Sequence, residues 1–100
     1  MRRLAAKSDS NAGPIIEALR AAGCSVTIIS APGVPDLSVG RKDADGIPRT
    51  YWLEVKREAG PRGGVSGRKL TQEQLLWWAM WRGHAAIVRT PQEALDAVGL

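Results

Sequence analysis

The stretch that decides the fold is Asp36-Leu37-Ser38-Val39-Gly40-Arg41-Lys42-Asp43-Ala44-Asp45-Gly46-Ile47-Pro48-Arg49-Thr50-Tyr51-Trp52-Leu53-Glu54-Val55-Lys56. Asp36 to Gly40 and Thr50 to Lys56 read as two strands, and the Asp45-Gly46 pair between them is a hairpin signal. Side chains alternate along a strand, so Trp52, Glu54 and Lys56 share one face while Tyr51, Leu53 and Val55 share the other. A hairpin symmetric about Asp45 sets Gly40 opposite Thr50, Ser38 opposite Trp52 and Asp36 opposite Glu54. Directly opposed residues point to the same face with Cβ atoms roughly 4.5–5.5 Å apart. Two carboxylates that close repel unless a cation sits between them. Lys56, one step along the same face, adds charge and a proton-handling amine. Folding does not ask for this arrangement, whereas a hard divalent cation does: it takes one or two carboxylates, water, a carbonyl and substrate phosphate oxygens. The competing reading is a polar strand face with Glu and Lys two apart for solubility, and Pro35-Asp36 opening a turn. A register slip of one residue would turn Asp36 to the other face.

Outward from the hairpin, residues 24–29 are short and β-branched and read as a strand, joined to Asp36 by the rigid connector Ala31-Pro32-Gly33-Val34-Pro35. Before it, Ile15, Ile16, Leu19 and Ala22 recur at helical spacing. Pro14 suits the first helical position there, with Asn11, Ala12 or Gly13 as cap and Gly23 as the stop. Residues 1–12 read as a basic, weakly structured lead-in. After the hairpin, residues 57–69 are Gly-rich, with Arg57, Arg62, Arg68 and Lys69 against the single acid Glu58. Thr71 opens a helix to about Arg82, with Gln74 where a capping box wants Glu or Gln. Ala85 to Arg89 follows as a strand, and Thr90-Pro91-Gln92-Glu93 reads as a second capping box on a closing helix. The order is α-β-β-β-α-β-α in one domain over residues 1–100, an α/β fold with a central mixed sheet flanked by helices.

Composition narrows the function. The chain has 100 residues, 44% of them hydrophobic, enough for one real core. One cysteine excludes an internal disulfide and any paired-cysteine zinc site, and one histidine, His84, excludes two-histidine metal sites. A net charge of +4 leans toward an anionic partner such as nucleic acid. No stretch is long enough to span a bilayer and no signal-peptide pattern opens the chain, so a cytoplasmic location is expected.

Gly33-Val34-Pro35-Asp36-Leu37, Trp52-Leu53-Glu54-Val55-Lys56 and Leu70-Thr71-Gln72-Glu73-Gln74 together resemble the PD-(D/E)XK nuclease superfamily, specifically the small stand-alone, phage-type members of its VRR-NUC branch. The resemblance runs from the helix at Pro14 to the helix at Pro91 and implies a restriction-endonuclease-like core. It implies that Asp36 and Glu54 hold Mg²⁺, with Mn²⁺ able to substitute, and that the Val55 backbone carbonyl is a further ligand. Lys56 would orient or help deprotonate the attacking water, Gln74 would lie near the metal from the following helix, and Glu17 would be an auxiliary acid. Thr71-Gln72 stands where many relatives have Ser-Pro, which leaves Gln72 as a rival to Gln74. The implied activity is metal-dependent endonucleolytic cleavage of DNA, including branched DNA of the Holliday-junction kind. Arg57, Arg62, Arg68 and Lys69 would then carry phosphates, extended by Arg2, Arg3 and Lys7. The alternatives are a non-catalytic nucleic-acid-binding module that uses this basic loop and the tryptophans, and an interaction protein that docks through its tryptophan helix.

Leu75-Leu76-Trp77-Trp78-Ala79-Met80-Trp81 is apolar all round a helix. Trp77 and Trp81 share a face and Trp78 is turned about 100° away. Burial on all sides is the plainer reading, but a small domain has few helices covered on both sides. The expectation is therefore a homodimer through the Leu75–Trp81 helix, with one tryptophan stacking on an unpaired base as a further option. His84 reads as a turn or partly buried residue, and Cys24 as a small buried apolar one.

Overall fold

The structure is a computed structural model that describes residues 11–57 and 70–100. Its elements are α1 (Ala12–Ala21), β1 (Ser25–Ile28), β2 (Leu37–Lys42), β3 (Pro48–Val55), α2 (Gln72–Met80), β4 (His84–Val88) and α3 (Pro91–Ala97). The order is the one expected from sequence. The strands form one mixed sheet in the order β1-β2-β3-β4, antiparallel except for the parallel pair β3–β4. Among the described residues no helix is long and apolar enough to cross a membrane.

The central hairpin holds the expected register for Gly40 with Thr50 and Ser38 with Trp52, but the ladder starts at Leu37–Leu53 and does not include the expected Asp36–Glu54 pair. Its turn fixes that register. Gly46 N donates to Asp43 O at 2.9 Å and Asp43 N to Ile47 O at 3.0 Å, a three-residue loop closed by Gly46 at φ +80°. This is the type I turn with a left-handed third residue that glycine allows without strain. Asp43 braces it: Oδ1 accepts from Asp45 N and Ile47 N, and Oδ2 takes Arg49 Nε at 2.7 Å. The Arg49 hydrogen bond leads the contacts that hold the Asp43 carboxyl below its ordinary range.

Alternation along β3 divides the molecule in two. Tyr51, Leu53 and Val55 join Leu37 and Val39 of β2, Ile15, Ile16 and Leu19 of α1, and Ala94 and Val98 from the C-terminal segment in one buried cluster. Leu37, Leu53, Ile15 and Leu19 are fully buried, each worth roughly 1.5–3 kcal/mol over exposure. The opposite face carries Trp52 and Glu54, and α2 packs there. Trp52 lies 6.0 Å from Trp77 and 5.7 Å from Trp81, and those two rings stack at 5.0 Å. α2 is held through one side only. None of its residues is buried, and Leu75, Leu76 and Met80 are more than half exposed.

Several boundaries shift for local reasons. α1 starts at Ala12, so Pro14 is its third residue rather than its first; the first-turn N–H groups lack intrahelical partners, so proline fits there too. α2 ends at Met80, two residues short of Arg82, as Trp81 turns to extended backbone at ψ 135°. The second capping box is only half formed: Thr90 accepts from Glu93 N, but Glu93 Oε1 reaches past it to Arg89 N at 2.8 Å. Cys24 is buried, and His84 is exposed with its ring 4.6 Å from Tyr51.

Candidate metal and active site

Asp36 lies one residue before the first paired position of β2, where Leu37 faces Leu53. There its backbone carbonyl accepts from Ile29 N at 2.8 Å and its Oδ2 accepts from Val55 N at 2.8 Å. The carboxylate is thus pinned to the main chain of β3 beside Glu54. The connector sets this placement. Val34 N donates to Ala31 O across Pro32-Gly33, with Gly33 at φ +80°, the residue order of a type II turn. A Cβ on Gly33 would lie 2.9 Å from Glu73 Cβ, so the turn sits directly on the first turn of α2.

Glu54 is 2% exposed, the one buried charged residue among those described. Its Oε2 accepts from Gln74 Nε2 at 2.6 Å and faces Lys56 Nζ at 3.3 Å. Its Oε1 is buried without a hydrogen-bond partner. Burial raises the carboxyl above its ordinary pKa, the Asp36 charge raises it further, and Lys56 and Gln74 oppose both. An ionised, desolvated carboxylate with one open oxygen is costly in a fold that has no use for it.

Gln74 is fixed at both ends. Its N–H and Oε1 form a reciprocal capping box with Thr71, Gln74 N to Thr71 Oγ1 at 3.1 Å and Thr71 N to Gln74 Oε1 at 2.9 Å. With Oε1 committed to Thr71, Nε2 is the end left for Glu54. Gln72 is exposed, so the structure brings Gln74, not Gln72, to the acids. The Trp52–Trp77–Trp81 cluster mounts α2 on the sheet so that this contact forms.

Of the residues expected from sequence, Asp36, Glu54, Lys56, Gln74 and the Val55 main chain come together. Glu17 does not join them; it is exposed on α1, whose other side packs into the core. Among the described residues no group of three or more His, Cys, Asp and Glu is placed to hold a metal. Arg57 is exposed at the end of β3, whereas Arg62, Arg68, Lys69, Arg2, Arg3 and Lys7 lie outside the described residues.

The donor set fits a hard divalent ion. Two carboxylates suffice for Mg²⁺, which keeps several waters and completes its shell with phosphate oxygens, and the open Glu54 Oε1 is a ready oxygen donor. A separate depression lined by Ser25, Gly40, Arg41, Lys42, Arg49 and Thr50 lies at the hairpin end, four residues from Glu54 along β3 or about 13 Å at strand rise. Its arginines are engaged, Arg41 with Val98 O and Arg49 with Asp43. The chemistry-bearing residues therefore sit away from this depression.

Sequence reasoning missed Asn11, read only as one of three candidate caps. It is the N-cap of α1, yet its side chain makes no capping bond. Nε-type reach is not needed: the short amide donates through Nδ2 to Lys56 O at 2.9 Å and Arg89 O at 2.7 Å. Nothing local in the sequence signals a contact across 45 and 78 positions. The chain matches no family model, no curated protein and no solved structure.

Proposed function

We propose that this protein is a metal-dependent DNA endonuclease with a restriction-endonuclease-like core, of the VRR-NUC kind that its motifs resemble. The observation that carries this reading is Glu54: a buried carboxylate held by Gln74 and Lys56, raised in pKa by burial and by Asp36, with Oε1 open. Asp36 and Glu54 would hold Mg²⁺ or Mn²⁺, with the Val55 carbonyl as a further ligand. When bound, the ion supplies an acidified water and stabilises charge on phosphate oxygens.

The chain's own residues do the rest. Val55 N–H orients Asp36, and Gln74 Nε2 orients Glu54 by holding Oε2. Lys56, its side chain 15% exposed, keeps its ammonium at the edge of the acid pair. From there the ammonium balances phosphate charge and orients the attacking water through its N–H groups. Arg57 stands next to it on the exit of β3 and meets the backbone of the substrate. A branched, junction-like DNA is the proposed substrate, cut by two copies of the chain. The second copy docks on the uncovered side of α2, where Leu75 is 56%, Leu76 61% and Met80 76% exposed, an apolar stripe of the kind found at interface cores.

The test is cleavage of plasmid and of a synthetic four-way junction with Mg²⁺ and with EDTA. Asp36→Ala is expected to abolish ion-dependent cutting and Lys56→Ala to slow it by about 10²–10³-fold, while DNA binding survives. Binding without any cutting by the wild type would leave a non-catalytic nucleic-acid-binding module. Cutting that survives both substitutions undiminished would remove these residues from the mechanism.

A further inference from the structure

The side chain of Asn11 occupies the place of a helix cap without acting as one. Asparagine at an N-cap ordinarily accepts from the N–H groups of the first turn. Here its Nδ2 instead bridges two backbone carbonyls, Lys56 O at 2.9 Å and Arg89 O at 2.7 Å. Its Oδ1 is buried without a partner. A residue that leaves its helix uncapped and its own acceptor unpaired is not there for the stability of α1.

What it joins is informative. Lys56 and Arg89 each follow the last residue of a strand, β3 and β4, which pair in parallel up to Val55 and Val88. Lys56 N donates to Val88 O at 3.0 Å, so with Asn11 on its carbonyl the peptide units on both sides of Lys56 are fixed. Lys56 Nζ lies 3.3 Å from Glu54 Oε2, and that distance depends on a backbone that does not fray at the end of β3.

We propose that Asn11 is a positioning residue that clamps the backbone at Lys56 and so holds the Lys56 amine against the acid pair. This rests on the nuclease reading for its catalytic consequence, though not for the clamp itself. Asn11→Asp separates clamp from cap, because aspartate caps a helix as well as asparagine does but cannot donate to a carbonyl. With the full-length protein, amide exchange at Lys56 is expected to rise about tenfold in Asn11→Asp and Asn11→Ala, while exchange at Leu53 in the sheet core stays unchanged. Single-turnover cleavage is expected to fall about tenfold to hundredfold with DNA affinity retained. On a Lys56→Ala background the same change should cost nothing further, since it acts through the missing amine. Wild-type exchange at Lys56 in Asn11→Asp overturns the proposal, as does a rate loss that multiplies with that of Lys56→Ala. Should the wild type not cut DNA, the nuclease reading fails and the exchange measurement still decides the clamp.

Discussion

Glu54→Gln should make the metal-free protein more stable and the metal-loaded protein less so. The side chain is 2% exposed, and its carboxylate has Oε1 unpartnered and Asp36 nearby. Against this stand one ion pair with Lys56 and one hydrogen bond from Gln74. An amide keeps an oxygen for Gln74 Nε2 and removes the desolvated charge. The amide nitrogen that takes the place of Oε1 is itself buried without a partner, so the gain comes from removing the desolvated charge beside Asp36, a penalty of roughly 1–3 kcal/mol or more, and the lost Lys56 pairing offsets part of that. The net gain is about 1 kcal/mol, or roughly 4–8 °C in melting temperature for a domain of this size.

The pH dependence has a definite sign. Because the folded pKa of Glu54 is raised, its protonated form favours the fold below the ordinary carboxylate pKa, and that stability is lost as pH rises through the folded value. The gap between variant and wild type should therefore be widest near neutrality and close on acidification. Divalent ions reverse the order: a ligand at 100 times its Kd adds about 2.7 kcal/mol to the wild type and almost nothing to the variant. Thermal melts at neutral and acidic pH, with EDTA and with Mn²⁺, read all of this. A variant that melts below wild type in EDTA, or that gains as much from Mn²⁺, would refute the account of Glu54 as a destabilising ion ligand.

Thr71→Ala removes the Thr71 Oγ1 half of the capping box and should cost about 1 kcal/mol; the backbone N–H of residue 71 still holds Gln74 Oε1, so calorimetry should show Mn²⁺ binding nearly unchanged. Gly33→Ala forces a Cβ to 2.9 Å from Glu73 Cβ at φ +80°, which should cost roughly 1–3 kcal/mol. Tryptophan fluorescence should shift as α2 is pushed from Trp52. Leu76→Glu with Met80→Glu should convert a micromolar dimer to monomer in sedimentation velocity with the melting temperature of the monomer unchanged; a wild type that already sediments as a monomer removes the dimer.

The hairpin and the two faces of β3 were legible in the residues alone. Asp43 and Gly46 close a turn whose length allows one register, and strand alternation then puts Glu54 and Trp52 on one face and Leu53 and Val55 on the other. The starts of α2 and α3 were equally legible, since Thr71 and Thr90 cap through contacts three residues away, whereas α1 starts two residues before Pro14. Tertiary structure decided the contacts that cross the chain. Asp36 leaves the ladder to take Val55 N–H, Gln74 rather than Gln72 meets Glu54, Glu17 stays with the solvent side of α1, and Asn11 ties Lys56 to Arg89. Local spacing carries period and register because those are fixed by backbone geometry. It carries nothing about which side chains meet once a helix is mounted on a sheet, which here depends on three tryptophans packing at distances no short window contains.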